Sequence, residues 1–574
     1  MERQKLVCER STSWESSHSR RAFLRLSFGG TLAACGVAAL LSQACTSIPL
    51  PGSPAAATSR SPGTPAASGA LRLPTYAPLP TVKADLPGTD TVPDAYLAYP
   101  KTSFKSVTST PGAGGEVTWM TYTFVPNAPL EDNAMWQEVN KQVGATLRMQ
   151  LTAYADYQTR LSSVLAGGDL PDVVYIPGLQ PELGHLLQAK FADLTPYVSG
   201  DAVKDYPNLA NLPTLAWKNT VFNSAIYAVP TAFVPFFWVL WNRQDMLEQI
   251  GAAPPTTADE FKRVLGELVH AQGGTWGIAS HVNNAFDTWN PSGGMYAAMF
   301  GAPNQWSETG GKFTRTFETE QFRAAVGFAR DLYAAGVYDP DSLTYNILSK
   351  RTQFEAGRFA YDFDGMNIDM WNLSKKANPN ARLRQPVPPS GDGSQGHYWF
   401  GPGVFGFTAI RQASPDRIKE ILRIMNFLAA PMGSEEYLLT NFGVRGIDFE
   451  FDDNGNPTPT AKGQADTMPW GGASATVPRP PRPLFNPLDP EFARVIQNDD
   501  KVMAEFGVHD PSIGLYSNTD ANKSNVLNQA ILDGITEIVK GTQPLSSLDQ
   551  LVQDWRTNGG EQIRAELEQA LASA

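Results

Sequence analysis

Apolar residues recur at the spacing of one helix face in four stretches of the chain. In the first, Phe261, Val264 and Leu265 follow a Thr257-x-x-Glu260 capping box, whose hydroxyl and carboxylate can each accept a free backbone N–H. Three further stretches share the spacing, over 322–333, 418–428 and 527–539. Glycines follow the first and last of these, and Ser414-Pro415 precedes the middle one. The pattern predicts four amphipathic helices.

Short runs rich in β-branched and aromatic residues alternate with these helices. The runs that predict strands cover 117–124, 173–176, 225–229, 238–241, 359–363 and 404–410. Two more helices are predicted between the first strands, over 133–143 and 158–165. The run over 173–176 is apolar throughout, which is typical of a strand buried on both faces. Alternating strands and helices predict a layered α/β architecture.

Two polar turns could be read as ligand loops, but hairpins explain them better. Gly310-Gly311-Lys312 lacks the upstream glycine and the hydroxyl residue of a phosphate loop. The segment 452–456, Asp-Asp-Asn-Gly-Asn, has the oxygens of a calcium loop without its final glutamate. We predict a hairpin turn at each position.

The N-terminus has the pattern of an export signal. Residues 19–25 read Ser-Arg-Arg-Ala-Phe-Leu-Arg and precede an uncharged, mildly apolar run over 26–44. The string resembles the twin-arginine export motif. A cysteine at the end of such a run resembles the lipid acceptor of bacterial lipoproteins. We favour Cys45, which gives the run a full length. Cys35 remains the alternative, because Leu32-Ala33-Ala34-Cys35 fits the usual acceptor pattern better.

The segment after the signal has no apolar period. Prolines among Ser, Thr, Ala and Gly fill 49–80, and four more prolines follow between 81 and 115. Such a stretch cannot bury a core, and proline extends the chain. We expect residues 45–115 to be a tether and an irregular lead-in, ordered against the body in part at most.

Composition excludes several classes of function. Among 574 residues, Lys and Arg number 45 against 57 Asp and Glu, so a phosphate backbone is an unfavourable partner and we expect no nucleic acid. All three cysteines lie in the first 45 residues, which excludes thiol catalysis and thiolate metal sites in the body. No His pair at i, i+4 and no Gly-x-Ser-x-Gly elbow occurs. We therefore expect no cofactor, no metal and no catalytic residues.

Six segments, in order and at matching spacing, resemble bacterial extracellular solute-binding proteins of family 1. They are the segments at 166–173 (Ala-Gly-Gly-Asp-Leu-Pro-Asp-Val), 191–197 (Phe-Ala-Asp-Leu-Thr-Pro-Tyr), 226–230 (Ile-Tyr-Ala-Val-Pro), 242–247, 255–261 and 354–358. Ala228 stands where the family usually has glycine. The C-terminal region resembles the longer members that carry oligosaccharides, through Gly-Thr-Gln-Pro at 541–544 and Trp555-x-x-x-Gly-Gly.

The resemblance implies a two-lobe periplasmic-binding-protein-like (type II) α/β fold with discontinuous lobes and a ligand cleft between them. From their positions, we place the crossing segments near 231–238, 401–405 and 444–451. Lobe one is then expected over 116–232 with 404–445, and lobe two over 236–402 with 450–574.

A sugar needs flat rings against its C–H faces and hydrogen-bonding groups at its edges, and three polar aromatic stretches supply both. They lie at 283–290, at 364–371 directly after a predicted strand, and at 397–400. Core packing is the alternative for each aromatic residue, and we expect it for Trp119, Trp241 and Trp555. The predicted ligand contacts are Tyr122, Phe124, Trp238, Asn283, Phe286, Trp289, Asp364, Asn367, Trp371, Tyr398 and Trp399.

The sequence thus predicts the substrate-binding protein of an ABC importer, a monomer anchored by lipid on the extracytoplasmic face of the membrane. It would capture a carbohydrate, most simply an oligosaccharide, by hinge closure and deliver it to the permease subunits. A secreted glycosidase is the alternative, since acidic residues are plentiful and spacing alone does not exclude a catalytic pair. A surface scaffold without a small ligand is a third hypothesis.

Overall fold

The computed structural model describes residues 71–79, 82–124, 130–271, 275–365, 368–391, 393, 396–474 and 476–573. The predicted export signal, Cys35, Cys45, the tether as far as residue 70, and Asn367 lie outside the described residues.

The strands of the described residues belong to two main sheets and several short pairs. In chain order they are β1 (Ala95–Tyr96), β2 (Glu116–Thr123), β3 (Thr146–Ala153), β4 (Val173–Ile176), β5 (Val221–Phe222), β6 (Ala225–Ile226), β7 (Ala228–Ala232), β8 (Trp238–Arg243), β9 (Trp276–Ile278), β10 (Trp306–Thr309), β11 (Lys312–Arg315), β12 (Phe359–Gly365), β13 (Leu383–Arg384), β14 (Tyr398–Trp399), β15 (Val404–Ile410), β16 (Phe449–Phe451), β17 (Pro457–Pro459), β18 (Leu484–Phe485) and β19 (Gly507–Val508).

Helices separate most of these strands. In chain order they are α1 (Ala134–Val143), α2 (Tyr154–Ala166), α3 (Leu183–Lys190), α4 (Thr195–Val198), α5 (Pro207–Ala210), α6 (Thr214–Lys218), α7 (Gln244–Gln249), α8 (Ala258–Ala271), α9 (Met295–Met299), α10 (Glu320–Ala334), α11 (Ile347–Glu355), α12 (Ile368–Ala377), α13 (Pro415–Leu428), α14 (Glu435–Phe442), α15 (Ala461–Ser474), α16 (Glu491–Ala504), α17 (Asn518–Val539), α18 (Ser547–Trp555) and α19 (Glu561–Ala572).

The first sheet has the order β3-β2-β4-β15-β7 and is covered on both faces. β2, β3 and β4 are parallel, and β15 runs antiparallel to its neighbours β4 and β7. Successive side chains of β2 point to opposite faces, so Trp119 packs with α1 and α13 while Met120 packs with α2 and α3.

The second sheet has the order β13-β8-β12-β9. β12 pairs antiparallel with β8 and parallel with β9. On one face, Leu240 and Tyr361 pack with α8, α10 and α17, and on the other Trp241 packs with α12 and α16. The predicted α/β architecture is confirmed as two separate covered sheets.

The four predicted amphipathic helices are confirmed as α8, α10, α13 and α17. The capping box forms as predicted: the Glu260 N–H donates to the Thr257 hydroxyl at 3.2 Å, and the Thr257 N–H donates to the Glu260 carboxylate at 3.3 Å. Both predicted hairpins are also present, as β10/β11 and β16/β17. The strand predicted over 225–229 is wrong as a single element, because β6 turns back on β5 before β7 joins the first sheet.

Two of the three predicted crossings connect the sheets. The segment 233–237 leads from β7 to β8, and 400–403 leads into β15. The third predicted crossing, 444–451, instead enters the β16/β17 hairpin, and α15 then packs against α1 and β2 of the first sheet. The chain reaches the core of the second sheet only at Leu484. We therefore propose that the third crossing is 476–484 and that lobe two resumes near 484 rather than 450.

The lead-in is more ordered than its composition predicts. The Ala77 N–H donates to the Ala210 carbonyl at 2.8 Å, and the Gln497 side-chain amide donates to the Leu86 carbonyl at 2.7 Å. Leu71 and Leu73 also pack on the core of the first sheet. These few apolar side chains anchor a segment that has no helix or strand period of its own.

Candidate functional site

The carboxyl ends of strands from both sheets border the crossing segments. In the first sheet, β2, β4 and β7 run in the same direction, and β7 continues directly into 233–237. In the second sheet, β12 ends at Gly365, whose register partner is Trp238 at the start of β8. Ligands of open α/β sheets bind at such ends, so this region is the candidate site.

The three crossing segments lie side by side and are joined through their backbones. The Phe233 N–H donates to the Gly403 carbonyl at 2.9 Å, and the Gly401 N–H donates to the Pro235 carbonyl at 2.7 Å. The Ala232 N–H donates to the Arg479 carbonyl at 3.0 Å. A few adjoining loop residues that link two packed bodies are the usual makeup of a hinge.

Four half-buried aromatic side chains, Phe233, Phe405, Phe237 and Trp238, form what we call the aromatic row. The rings of Phe233 and Phe405 stack with centroids 5.6 Å apart, and Phe237 lies 6.1 Å from Phe405 and 6.2 Å from Trp238. The row therefore runs without interruption from the end of β7 to the start of β8.

Two rings of the second sheet, the buried Phe363 and the half-buried His281, pack against the aromatic row at Trp238. Trp238 stacks on Phe363 of β12 at 5.8 Å and on His281, which follows β9, at 6.4 Å. Burial and the Lys350 charge lower the pKa of His281 to about 4, so its imidazole is neutral near pH 7. The predicted contact Trp238 thus lies at the centre of a mixed aromatic surface.

Tyr122 and Phe124 lie where the sequence places them, at the end of β2. Their rings meet edge to face at 5.2 Å, and Tyr122 makes a similar contact with Tyr175 at 5.6 Å. Tyr122 is buried, and burial raises the pKa of its hydroxyl well above the usual range. The Phe124 ring is 37% exposed and is the more open of the two.

Asp364 and Asn283 border the site from the second sheet in different ways. The Asp364 carboxylate is fully buried and accepts from both Arg351 Nη2, at 2.7 Å, and Arg351 Nε, at 3.2 Å. Both carboxylate oxygens of Asp364 therefore accept hydrogen bonds from Arg351. Asn283 is exposed in the left-handed backbone region, with φ of 66°. The third polar residue predicted here, Asn367, lies outside the described residues.

The other predicted aromatic contacts are packed inside the protein. Trp289 has no exposed surface and meets Phe317 edge-on at 5.6 Å, and Phe286 meets Tyr338 at 5.1 Å. The Trp371 indole N–H donates to the Asp489 carboxylate at 2.8 Å. The ligand contacts predicted for Trp289, Phe286 and Trp371 stay untested. We do not include these three side chains in the proposed site, because they are buried.

Tyr398 and Trp399 are also buried, and both polar groups have protein partners. The Tyr398 hydroxyl donates to the Trp238 carbonyl at 2.8 Å, and the Trp399 indole N–H donates to the Ala302 carbonyl at 3.0 Å. Tyr398 therefore supports the backbone that carries Trp238. The ligand contacts predicted for Tyr398 and Trp399 also stay predictions. Trp119, Trp241 and Trp555 are buried in the core, as expected.

Sequence reasoning did not single out Phe233, Phe237 and Phe405 of the aromatic row. Two of them fall inside the predicted crossing 231–238 and the third inside 401–405, so the positions of the predicted crossings could have identified these aromatic residues.

Among the described residues, no group of three or more His, Cys, Asp or Glu side chains could hold a metal ion. The described helices also include none long and apolar enough to cross a membrane.

The profile of the bacterial extracellular solute-binding proteins matches residues 127–435, more than half of the chain. The chain belongs to this family. The predicted family and the two-lobe binding-protein fold are thereby confirmed, and the protein is a solute-binding protein.

Individual proteins show the same likeness over most of the chain. The polygalacturonan/rhamnogalacturonan-binding protein YtcQ of Bacillus subtilis (strain 168) is 24% identical over 484 residues, covering 81% of this chain and 93% of that protein. Lipoprotein LipO of the same organism is 22% identical, covering 81% and 94%.

Two solved structures share the fold. The alginate-binding protein AlgQ2 without calcium ion has a TM-score of 0.58 at 15% identity, covering 82% of this chain and 99% of that chain. The S. pneumoniae substrate-binding protein FusA in complex with kestose has a TM-score of 0.59 at 16% identity, covering 79% and 98%.

Proposed function

We propose that this protein captures an oligosaccharide at the aromatic row and delivers it to the permease subunits of an ABC importer. The observation that carries the proposal is the unbroken run of half-buried rings from Phe233 to Trp238, which joins the strand ends of both sheets. The names of the similar proteins support a saccharide ligand, and they range from polygalacturonan and alginate to kestose. They leave the charge of the ligand open.

The chemistry of the row suits a chain of sugar rings. Flat aromatic faces pack against the C–H faces of pyranose or furanose rings and remove apolar surface of both from water. A ligand that touches both lobes makes all of its contacts only when the lobes are closed, so it shifts the population toward the closed state. The permease would then recognise that closed state.

We further propose that the protein is exported and held by lipid at the outer face of the membrane as a monomer. The twin-arginine-like string at 19–25 and Cys45, with Cys35 as the alternative acceptor, support this proposal. The name of the relative LipO, a lipoprotein, supports it as well. In a bacterial host that processes lipoproteins, Cys45→Ser should release the protein into the soluble fraction, and Cys35→Ser should leave it with the membrane. The reverse pattern would assign the anchor to Cys35.

Binding without chemical change distinguishes this function from the glycosidase alternative. The full chain should be screened by thermal shift against kestose, maltooligosaccharides, galacturonate oligosaccharides and alginate oligosaccharides, and hits measured by calorimetry. A true ligand raises the melting temperature with the logarithm of its concentration. Small-angle scattering should then detect compaction, and chromatography should recover the ligand intact. Cleavage of the ligand, or no shift with any oligosaccharide, would overturn the proposal.

A further inference from the structure

Arg479, on the proposed third crossing, carries a buried guanidinium with two nitrogens that lack hydrogen-bond partners among the described residues. The residue is 8% exposed, and among the described residues its Nε and Nη1 atoms have no hydrogen-bond partner. Its backbone carbonyl accepts from the Ala232 N–H, so the residue is fixed at the edge of the first sheet beside β7.

The surroundings of this guanidinium contain rings and a second cation. Its central carbon lies 5.8 Å from the centroid of Phe233, the first ring of the aromatic row. Within the described residues, the charged and titratable groups that act on it are Arg482 and three tyrosines, and no carboxylate is among them. Burial and the neighbouring Arg482 lower the pKa of Arg479 well below its usual value, a direction opposite to that produced by a bound anion.

A buried cation without a counter-charge is costly to the folded protein. The guanidinium is a planar fork of N–H donors, which gives charge-assisted hydrogen bonds to a carboxylate, and these bonds strengthen where water is excluded. The net charge of the whole chain is −12, so long-range attraction cannot draw an anion here. Recognition of an anion must therefore be local, at a cation held ready for it.

Arg479 also lines a cavity of about 760 Å³ beside the crossings. Arg482 and Tyr437 lie on the same side, and Asp90 and Asp94 of the lead-in also contribute to the lining. Known ligand pockets span about 300–1,000 Å³, which holds a few sugar rings. The cavity thus offers the Arg479 cation to a carboxylate and acidic acceptors to hydroxyl groups, a combination that matches a uronic acid.

We propose that the captured oligosaccharide is acidic and that Arg479, which lines this cavity and lies against Phe233 of the aromatic row, binds the carboxylate of one uronate unit. The inference rests on the proposed function and adds the chemical class of the ligand. It also accounts for a buried charge that no described protein group neutralises.

The test compares charged ligands with uncharged ligands of the same shape. Calorimetry on the full chain should use trisaccharides of galacturonate, mannuronate, guluronate and glucuronate, each beside its methyl ester, together with kestose and maltotriose. At least one uronate should bind tenfold or more tightly than its ester. Tight binding of a neutral saccharide with no preference for any uronate would overturn this inference and leave the proposed function standing. Binding of none of them would overturn both.

Variants of Arg479 separate ligand recognition from a structural role. Arg479→Gln should weaken the preferred uronate at least tenfold and leave its methyl ester unchanged, and Arg479→Lys should restore binding in part because it keeps the charge without the fork. The melting temperature of free Arg479→Gln should equal or exceed that of the wild type, since an uncompensated charge is removed. Arg445→Gln, an exposed arginine with the same change of charge, is the control. A lowered melting temperature with wild-type preference for the uronate would show that Arg479 is structural.

Discussion

The ammonium of Lys350 lies 2.6 Å from a carboxylate oxygen of Asp362, and neither side chain is exposed. The same ammonium donates to the Phe363 carbonyl at 2.7 Å. Burial acts against the charged ammonium, but Asp362 and Asp364 raise the pKa of Lys350 overall. This ion pair holds the end of β12 in place behind the ring of Phe363 on which Trp238 stacks.

Removal of one partner of this pair should be strongly destabilising. Lys350→Met leaves a buried carboxylate without its counter-charge, which costs about 3–5 kcal/mol of the free energy of unfolding. Urea denaturation at pH 7 measures the loss. Arg263→Met is the control: it removes an exposed pair with Glu267 and should cost less than about 1 kcal/mol. Equal midpoints for the two variants would contradict this account.

Asp287 should make the protein less stable as pH rises from about 4 to about 8. Burial raises the pKa of Asp287 from its ordinary value of 3.8 to about 8. Between these values the folded state holds a proton that the unfolded state releases, so stability falls as pH increases. His281, with its pKa lowered to about 4, acts in the opposite sense only below its ordinary value of 6.5.

The window from pH 6.5 to 8 lies above the range in which His281 acts. Burial also raises the pKa of Glu355 to about 7, but that group is common to the wild type and Asp287→Asn, so the comparison of the two proteins isolates Asp287. Across this window, the wild type should lose about 1–2 kcal/mol more unfolding free energy than Asp287→Asn, which cannot ionise. Urea denaturation at both pH values measures the difference. Parallel pH profiles for the two proteins would show that the carboxyl group is already ionised in the folded state.

Trp289→Ala should mainly lower the free energy of unfolding rather than the affinity for the ligand. The side chain is fully buried against Phe317, so its truncation leaves a cavity and costs about 3–5 kcal/mol. Thermal and urea unfolding give the size of the loss.

Trp371→Phe, which keeps a ring but loses the hydrogen bond to Asp489, should bind ligand like the wild type. Weakened binding in that variant, at unchanged stability, would return Trp371 to the ligand site.

Trp238→Ala should weaken the ligand about tenfold or more, because it removes the central ring of the proposed surface. The matched control is Trp276→Ala, which removes another half-buried tryptophan of the second sheet, where β9 pairs with the start of β12. Calorimetry with the best oligosaccharide of the panel compares the two. Equal affinities would place the ligand elsewhere.

Much of the local structure follows from short stretches of sequence. The capping box at Thr257 and the apolar spacing from Phe261 onward determine where α8 begins and which face it buries. The six family segments likewise predicted the solute-binding family that the profile match confirms. These properties depend on neighbouring residues, or on their order along the chain, and so the sequence alone contains them.

The tertiary structure decided which aromatic residues remain open. Trp289 lies in a polar loop like those of a sugar site and Trp371 lies in α12, yet helices distant in sequence cover both side chains. The third crossing that we propose, 476–484, likewise differs from the predicted one at 444–451, although Pro478, Pro480, Pro481 and Pro483 mark an extended segment around Arg479.

The sequence by itself determined the four amphipathic helices and their buried faces, the family and the class of function, because each depends on periodicity or motif order. Only the tertiary structure placed Arg479 against Phe233 and both beside the crossings. That placement depends on how separate elements pack, and a side chain becomes part of a binding surface only when the surrounding elements leave it uncovered.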